Sequence, residues 1–259
     1  MSFTICVDVR NPGHFFGACG VFELASRVDA NALGRFEAGR FHIDASCTLS
    51  ELLDRITSTP LVQVDMDDDT SSPIAIGPPF DLRIDWWFDR WSGGRELKVW
   101  AGTMQSVRIA EAMLFALREP EFHGEDLFNA GRVVRDPHDE TKKVEPYYFD
   151  ARRALNAHSR DIGFSPNDLD LTTTAFPAVE FLCLVGLQRY RPARTVVPRV
   201  FEYTTWEPAL PPSVAMHIVA GSVPLPGART YRFENWFRTG QKKHKAFRPA
   251  TLVDERTRP

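Results

Sequence analysis

The C-terminal part of the chain carries a dense group of cationic side chains beside aromatic ones. Six basic residues closely follow Trp236 and Phe237: Arg238, Lys242, Lys243, His244, Lys245 and Arg248. Flexible cations next to aromatic rings are typical of nucleic-acid binding, because the cations neutralise phosphates and the rings stack on bases. A solvated basic tail is the alternative interpretation. We predict that this group, the C-terminal basic cluster, contacts phosphate.

A second set of cations flanks the end of a long apolar stretch. Its members are Arg189, Arg191, Arg194 and Arg199. A guanidinium group can donate two parallel hydrogen bonds to a phosphate, and it can do the same to a carboxylate of its own protein. The pattern therefore predicts nucleic-acid contacts at Arg189, Arg191 and Arg194, and it leaves internal ion pairs open.

The third candidate is a polar segment with short side chains, residues 152–168, which is bent by Gly163 and Pro166. Its candidate side chains are Arg153, Asn156, Ser159, Ser165 and Asn167. Amide, hydroxyl and guanidinium groups of this kind reach base edges and sugars. Ordinary turn chemistry explains the residues 165–168 equally well. We predict that the loop 156–167 reads DNA.

The sequence lacks the patterns that usually accompany catalysis. It contains no Gly-x-Ser-x-Gly, no phosphate-binding glycine loop, no dinucleotide fingerprint and no His-Glu-x-x-His. The seven histidines are dispersed, and the four cysteines lie singly among apolar neighbours, which favours burial in the core. The acidic run 65–69 lacks the spacing of a calcium loop, so a solvated loop is the better interpretation. We predict no catalytic residue, no metal and no cofactor.

Charge is divided unevenly along the 259 residues. Positions 1–129 hold 11 Lys and Arg against 20 Asp and Glu, whereas positions 130–259 hold 20 against 14. A basic second half suggests a polyanion or an acidic protein as partner. No apolar run approaches the roughly 20 residues needed to span a bilayer. A signal peptide is not expected either, because Asp8 and Arg10 interrupt the early apolar stretch. We expect no membrane association and a cytoplasmic location.

The spacing of apolar residues predicts the elements that position these candidates. Alternation of apolar and polar residues predicts strands over 3–10, 82–89, 97–100, 195–204, 214–219 and 230–236, with a hairpin turn at 92–95. Helices are expected over 14–28, from a capping box at Thr48 to 57, from Thr103 to 117, and over 179–190 after Pro177. Residues 120–150 are expected to be an irregular connection.

Two of these helices, 14–28 and 179–190, are apolar on nearly every side, so we place both in the core together with Trp86 and Trp100. Gly17 and Gly20 suggest close approach of another backbone. The fold class predicted is α+β, with antiparallel sheet and two buried central helices. One domain is expected over 1–248, two lobes divided near 120–150 being the alternative, and 249–259 should form a flexible tail.

Three segments together resemble one known family. They are residues 11–25 (NPGHFFGACGVFELA), residues 85–87 (DWW) with 97–102 (LKVWAG), and Asn156 with 163–167 (GFSPN), 177–182 (PAVEFL) and 186–189 (GLQR). This pattern resembles the short large-subunit-like proteins of type I-G (formerly I-U) CRISPR interference complexes. The resemblance covers roughly three quarters of the chain, from residue 3 to about 191, and is most specific in the third segment.

The resemblance implies a non-catalytic subunit of a crRNA-guided antiviral DNA surveillance complex. Such a subunit contacts the PAM duplex and the target double-stranded DNA, sits beside crRNA-bound backbone subunits, and helps to recruit a helicase-nuclease. Two alternatives remain open. One is a ribonuclease that processes pre-crRNA with a histidine such as His42 or His244, and the other is a protein-only scaffold subunit of the same complex.

Overall fold

A computed structural model describes residues 1–67, 71–86, 97, 105–157, 174–237 and 244–253. The chain has an α+β fold, as the sequence predicts. The described residues form the α-helices α1 (Pro12–Val28), α2 (Leu49–Ser58), α3 (Ser106–Ala116), α4 (Pro177–Arg189) and α5 (Pro212–Val219). Short 3-10 helices lie at Pro120–Phe122, Leu127–Asn129 and Ala151–Ala157.

All strand pairs among the described residues are antiparallel. An N-terminal sheet has the order β1 (Ser2–Cys6), β3 (Arg40–Asp44), β2 (Leu33–Glu37), and a smaller one has the order β4 (Leu61–Gln63), β5 (Ile74–Ile76), β6 (Leu82–Ile84). A hairpin pairs β7 (Arg135–Asp136) with β8 (Asp139–Lys143). The C-terminal sheet has the order β12 (His244–Phe247), β11 (Arg229–Phe237), β10 (Val200–Thr205), β9 (Ala193–Arg194), with β13 (Thr251–Leu252) also paired to β11.

The two central helices, α1 and α4, pack with their backbones in contact. A Cβ atom added to Gly20 would lie 2.8 Å from the carbonyl carbon of Leu182, and one added to Gly186 would lie 2.7 Å from the amide nitrogen of Gly20. Only residues without a side chain fit at such a crossing. The prediction that Gly20 serves close approach of another backbone is confirmed. Gly17 instead faces the ring of Phe128, 2.9 Å from the same kind of added atom.

Aromatic packing joins α1 to both larger sheets. The Phe15 ring on α1 stacks on Phe36 of β2 and on Tyr203 of β10, at centroid distances of 5.1 and 4.3 Å. Trp206 is fully buried, and its indole Nε1 donates a 2.7 Å hydrogen bond to the carbonyl of Gly34. Residues from both ends of the sequence therefore share one core around α1.

Several predicted elements are confirmed with small shifts in their bounds. Thr48 and Glu51 form the expected capping box at the start of α2. The predicted strand 3–10 is shorter, because β1 ends at Cys6 and a turn begins at Val9. Cys19, Cys47 and Cys183 are buried as expected, whereas Cys6 is half-buried. Trp86 packs against the core, as predicted, but it is partly exposed and not fully buried.

The prediction of a strand over 214–219 is wrong, because this segment is the helix α5. The β-branched Val214, Ile218 and Val219 favour a strand locally. However, the buried positions are Pro212, Ala215, Ile218 and Val219, and the last three have helical spacing. Pro212 at the start of the segment also suits the first turn of a helix.

Two further expectations differ from the structure. Residues 120–150, expected to be irregular, contain two 3-10 helices and the hairpin β7–β8. The flexible tail expected from 249 onward is contradicted over 250–253, where Ala250 is buried, β13 pairs with β11 and the Val253 amide donates to the Thr230 carbonyl. The strand residues predicted at 87–89 and 98–100, the turn 92–95, Trp100, Thr103 and residues 254–259 lie outside the described residues.

No helix in the described ranges combines the length and the apolar character needed to cross a lipid bilayer.

Candidate nucleic-acid interface

A buried polar network links the first turns of α1 and α4 to the start of the predicted DNA-reading loop. The side-chain oxygen of Asn11 accepts hydrogen bonds from the amides of Gly13 and Ala151, both 3.0 Å long. Its amide nitrogen donates to Asp150 at 2.9 Å. Asn11 therefore caps α1 and at the same time holds the 3-10 helix Ala151–Ala157, from which the loop leaves.

Two carboxylates in this network have opposite pKa shifts. Glu180 is fully buried and accepts from the amides of Phe149 and Asp150, at 3.1 and 3.2 Å. Burial raises the pKa of Glu180 to about 8, although the two amide hydrogen bonds oppose the shift. Burial would also raise the pKa of Asp150, but neighbouring His14 and Arg152 outweigh it and hold that pKa well below its ordinary value. The network thus fixes the base of the loop mainly by internal pairing.

Arg153 is the described member of the predicted loop site. It lies in the 3-10 helix, half-buried, and its Nε and Nη2 atoms are buried without a hydrogen-bond partner in the described part of the chain. The preceding Arg152 donates hydrogen bonds within the protein, to the carboxylate of Asp150 and, at 2.7 Å, to the carbonyl of Phe128. The other predicted residues of this site lie outside the described structure: Ser159, Ser165 and Asn167 entirely, and Asn156 in its side chain.

A cleft of about 600 Å³ opens beside the C-terminal end of α4. We call it the arginine cleft, because four arginines and only two carboxylates line it. Its lining comes from α1, β6, α4 and α5 and the residues that directly follow them: Glu23, Arg27, Leu82, Arg83, Asp85, Gln188, Arg189, Arg191, Met216, His217 and Ala220. The cleft brings together two of the predicted residues, Arg189 and Arg191.

One buried carboxylate organises the inner part of the arginine cleft. Glu23 is 1% exposed and accepts hydrogen bonds from two guanidinium groups. Arg27, one helical turn along α1, donates to it at 2.8 Å, and Arg189 of α4 donates to it through both Nε and Nη2. The sequence left phosphate and carboxylate open as partners of Arg189, and in the structure its partner is a carboxylate of the same protein. A single negative charge stands between two positive ones, which leaves one positive charge in excess at this point.

Arg191, which lines the cleft, also lies against the ring of Trp86. The guanidinium carbon of Arg191 lies 4.9 Å from the ring centroid of Trp86, a cation–π distance. Gln188 fixes the tryptophan, because its side chain accepts from the Trp86 amide and donates to the Trp86 carbonyl, both at 3.0 Å. Arg191 itself is exposed and donates through Nε to the Gln188 carbonyl at 3.2 Å.

Arg194 lies in β9, where it is opposite Phe201 of β10. It is exposed at the surface. It does not line the arginine cleft. The predicted set of three arginines is therefore divided between the cleft and the neighbouring hairpin.

The C-terminal basic cluster contains one residue that is not a surface cation. His244 is fully buried, and its ring nitrogens bond with Asn235 at 2.6 Å and with the Tyr147 carbonyl at 2.8 Å. Burial lowers the pKa of His244 to about 4. Arg248 is exposed, stacks on Trp236 and pairs with Glu234 at 3.0 Å. Arg238, Lys242 and Lys243, with the side chain of Lys245, lie outside the described residues.

The histidines considered for a ribonuclease differ in environment. The burial of His244 is unsuited to a group that must reach RNA. His42 is partly exposed on β3, with Nδ1 3.1 Å from the hydroxyl of Thr4 and Nε2 3.6 Å from Glu37. Within the described part of the chain, no three His, Cys, Asp or Glu side chains come together as metal ligands would.

Comparison of the chain with models of protein families, with curated proteins and with solved structures finds no match. Its functional interpretation therefore depends on its own residues. Sequence reasoning missed Glu23, Arg27 and Gln188. The spacing of Glu23 and Arg27 by four residues on a helix could have predicted their ion pair. The contact of Glu23 with Arg189 could not be predicted, because the sequence around Glu23 does not indicate which distant arginine it meets.

Proposed function

We propose that this chain is a non-catalytic, nucleic-acid-binding subunit of a crRNA-guided antiviral DNA surveillance complex in the cytoplasm. In this proposal it contacts the PAM duplex and the target DNA, lies beside crRNA-bound backbone subunits, and aids recruitment of the helicase-nuclease. The proposal combines the family resemblance of residues 3–191 with the charge distribution of the arginine cleft.

The excess of positive charge in the arginine cleft is the observation that carries the proposal. Arg27 and Arg189 share the one buried carboxylate of Glu23, and their side chains are each 31% exposed. Glu23 fixes both guanidinium groups, so little side-chain freedom remains to be lost when an anion binds. A guanidinium carries five N–H donors, so Arg27 and Arg189 keep donors for a phosphate beyond those that Glu23 and the carbonyls of Phe80 and Asp81 use.

The loop 156–167 is the second part of the proposed DNA contact. Its base is anchored by Asn11, Asp150 and Glu180, all buried, and Arg153 at its start has buried donors without a partner in the described structure. A rigid base supports precise placement of short side chains. The reading of base edges by Asn156 and Asn167 stays a prediction.

The test is reconstitution with the other components of such a complex. We expect the chain to co-purify with crRNA-bound backbone subunits and to raise their affinity for a duplex that carries the correct PAM. A matched preparation with Arg83→Ala and Arg191→Ala should assemble equally well but bind that duplex more weakly, because both arginines are exposed at the cleft, where a duplex would meet them, although Arg83 also pairs with Asp85 at 3.3 Å. Failure to associate would overturn the place in the complex, and equal DNA affinity with and without the chain would overturn the DNA contact.

A further inference from the structure

We propose that the arginine cleft binds a single-stranded stretch of nucleic acid, with its phosphates at Arg27 and Arg189 and a base stacked on Arg191. This inference deepens the proposed function and rests on it. It names the form of nucleic acid that the cleft accepts, which the excess of positive charge alone does not determine.

The size of the cleft is the first argument. At about 600 Å³ it falls within the ~300–1,000 Å³ of sites that enclose a small organic ligand. A space of this volume accommodates a group of the size of a small organic ligand, such as a base of a flexible strand. A duplex is stiff and presents its bases stacked inward, so it can lie across the mouth of such a cleft but cannot enter it.

The second argument is the contact between Trp86 and Arg191, of which Arg191 lines the cleft. The guanidinium carbon of Arg191 lies 4.9 Å from the centroid of the indole ring, and Gln188 holds the backbone of Trp86 through both its amide and its carbonyl. Because Arg191 is the exposed member of the pair, a planar cation on a fixed aromatic ring is presented to the cleft. Unpaired bases stack on such surfaces without regard to sequence, whereas paired bases have no free face to offer.

The third argument is that the phosphate and base positions are adjacent but chemically distinct. Arg189 and Arg191 are separated by one residue, and both line the cleft. Arg189 points its donors to Glu23 together with Arg27, so this end of the cleft is cationic. Met216 and His217 of α5 also line it and add a partly apolar surface. A cationic part beside a stacking part is the arrangement that single-strand-binding grooves use.

The experiment measures fluorescence anisotropy of the full-length protein with a labelled oligothymidylate of about 12 nucleotides, and with the same strand annealed to its complement. Arg191→Ala should weaken single-strand binding about 5- to 150-fold, the loss expected for one stacked base. The duplex should lose much less, because only one phosphate contact is removed. Arg191→Lys keeps the charge but not the plane, so it should restore duplex binding and leave single-strand binding weak.

Two further variants guard against indirect effects. His217→Ala, exposed on α5, should also weaken the single strand selectively, and Arg55→Ala, a charge change outside the cleft, should change neither affinity. A ribo-oligomer of the same sequence as a further arm distinguishes DNA from RNA as the strand, and selective loss with either supports the inference.

The outcomes separate the inference from the function on which it rests. Equal losses on single strand and duplex in Arg191→Ala, or full recovery of both by Arg191→Lys, would overturn the stacking site while nucleic-acid binding stands. Unchanged single-strand affinity in both Arg191→Ala and His217→Ala would also overturn it. Absence of binding by the unaltered protein to every probe, alone and in the reconstituted complex, would instead overturn the proposed function.

Discussion

Gly20 is the position at which the packing of α1 on α4 can be tested by adding one carbon atom. The Cβ of Gly20→Ala would lie 2.8 Å from the carbonyl carbon of Leu182, nearer still to its oxygen, and 3.1 Å from the amide nitrogen of Gly186. Non-bonded carbon contacts are normally about 3.5–4.0 Å. The two helices must therefore move apart by roughly an ångström.

The cost of that movement can be compared with the gain in helix propensity. Overpacking of a core costs about 1–3 kcal/mol and sometimes more, whereas Ala is favoured over Gly in a helix by about 1 kcal/mol. The obstructing atoms are backbone atoms, so no rotamer change relieves the clash. We expect the upper part of the overpacking range and a net loss of about 2 kcal/mol. For a chain of this size the melting temperature should fall by about 4–8 °C.

The assay is thermal unfolding followed by circular dichroism, with Gly124→Ala as the matched control. Apart from its chain neighbours, no atom of the described residues lies within 4 Å of a Cβ added at Gly124. That variant should therefore be neutral or slightly more stable, because Ala restricts the unfolded chain. If Gly20→Ala melts at the same temperature as Gly124→Ala, the two helices are not in backbone contact and the fold described for the core is incorrect.

Four other predictions follow from buried and clustered charges. Stability should fall as the pH rises from 6.5 to about 8, because the pKa of Glu180 is raised to about 8 and the folded chain keeps a proton that the unfolded chain has released; a flat melting profile over this range would contradict it. His244 acts in the opposite direction, because its pKa is lowered to about 4 and the unfolded chain binds a proton that the folded chain does not. Its contribution to the free energy of unfolding is lost as the pH falls from 6.5 to about 4, and it is measured as the difference between the wild type and His244→Gln. Glu23→Gln should lower stability by about 1–3 kcal/mol, because Arg27 and Arg189, which are partly hydrated, lose the buried carboxylate that pairs with them; an unchanged melting temperature would contradict this. Changing three lysines of the C-terminal basic cluster to Ala (Lys242, Lys243 and Lys245) should reduce the log–log salt slope of DNA binding by up to about 2.7. An unchanged slope would mean that the cluster is a solvated tail.

The fold class could be predicted because the strongest signals are periodic and local. The helices 12–28 and 177–189 are apolar all round, and the capping box at Thr48 is a pattern of four residues. The α5 helix could not be predicted by the same means. Its β-branched residues favour a strand, and burial of Ala215, Ile218 and Val219 on one side depends on tertiary packing.

The candidate site was less accessible from the sequence, because its charges pair over long distances. The sequence indicated that the guanidinium of Arg189 could donate two hydrogen bonds to a phosphate or a carboxylate. Only the structure shows that its partner is Glu23, 166 residues away. His244 was grouped with cations by its neighbours in sequence. Alternation along β12 instead directs its ring inward, to Asn235 and the Tyr147 carbonyl.

The central claim, that the arginine cleft contacts nucleic-acid phosphate in an assembled complex, is tested most directly by the salt dependence of DNA binding. The measurement compares the complex containing Arg83→Ala with Arg191→Ala and a control with Arg55→Ala and Arg135→Ala, two arginines outside the cleft. A duplex that lies across the mouth of the cleft would meet the exposed arginines Arg83 and Arg191 with its phosphates. Each lost phosphate contact lowers the log–log slope by about 0.9, so the cleft variant should fall by about 1.8. The control should keep the wild-type slope. A cleft variant with the wild-type slope would contradict the claim.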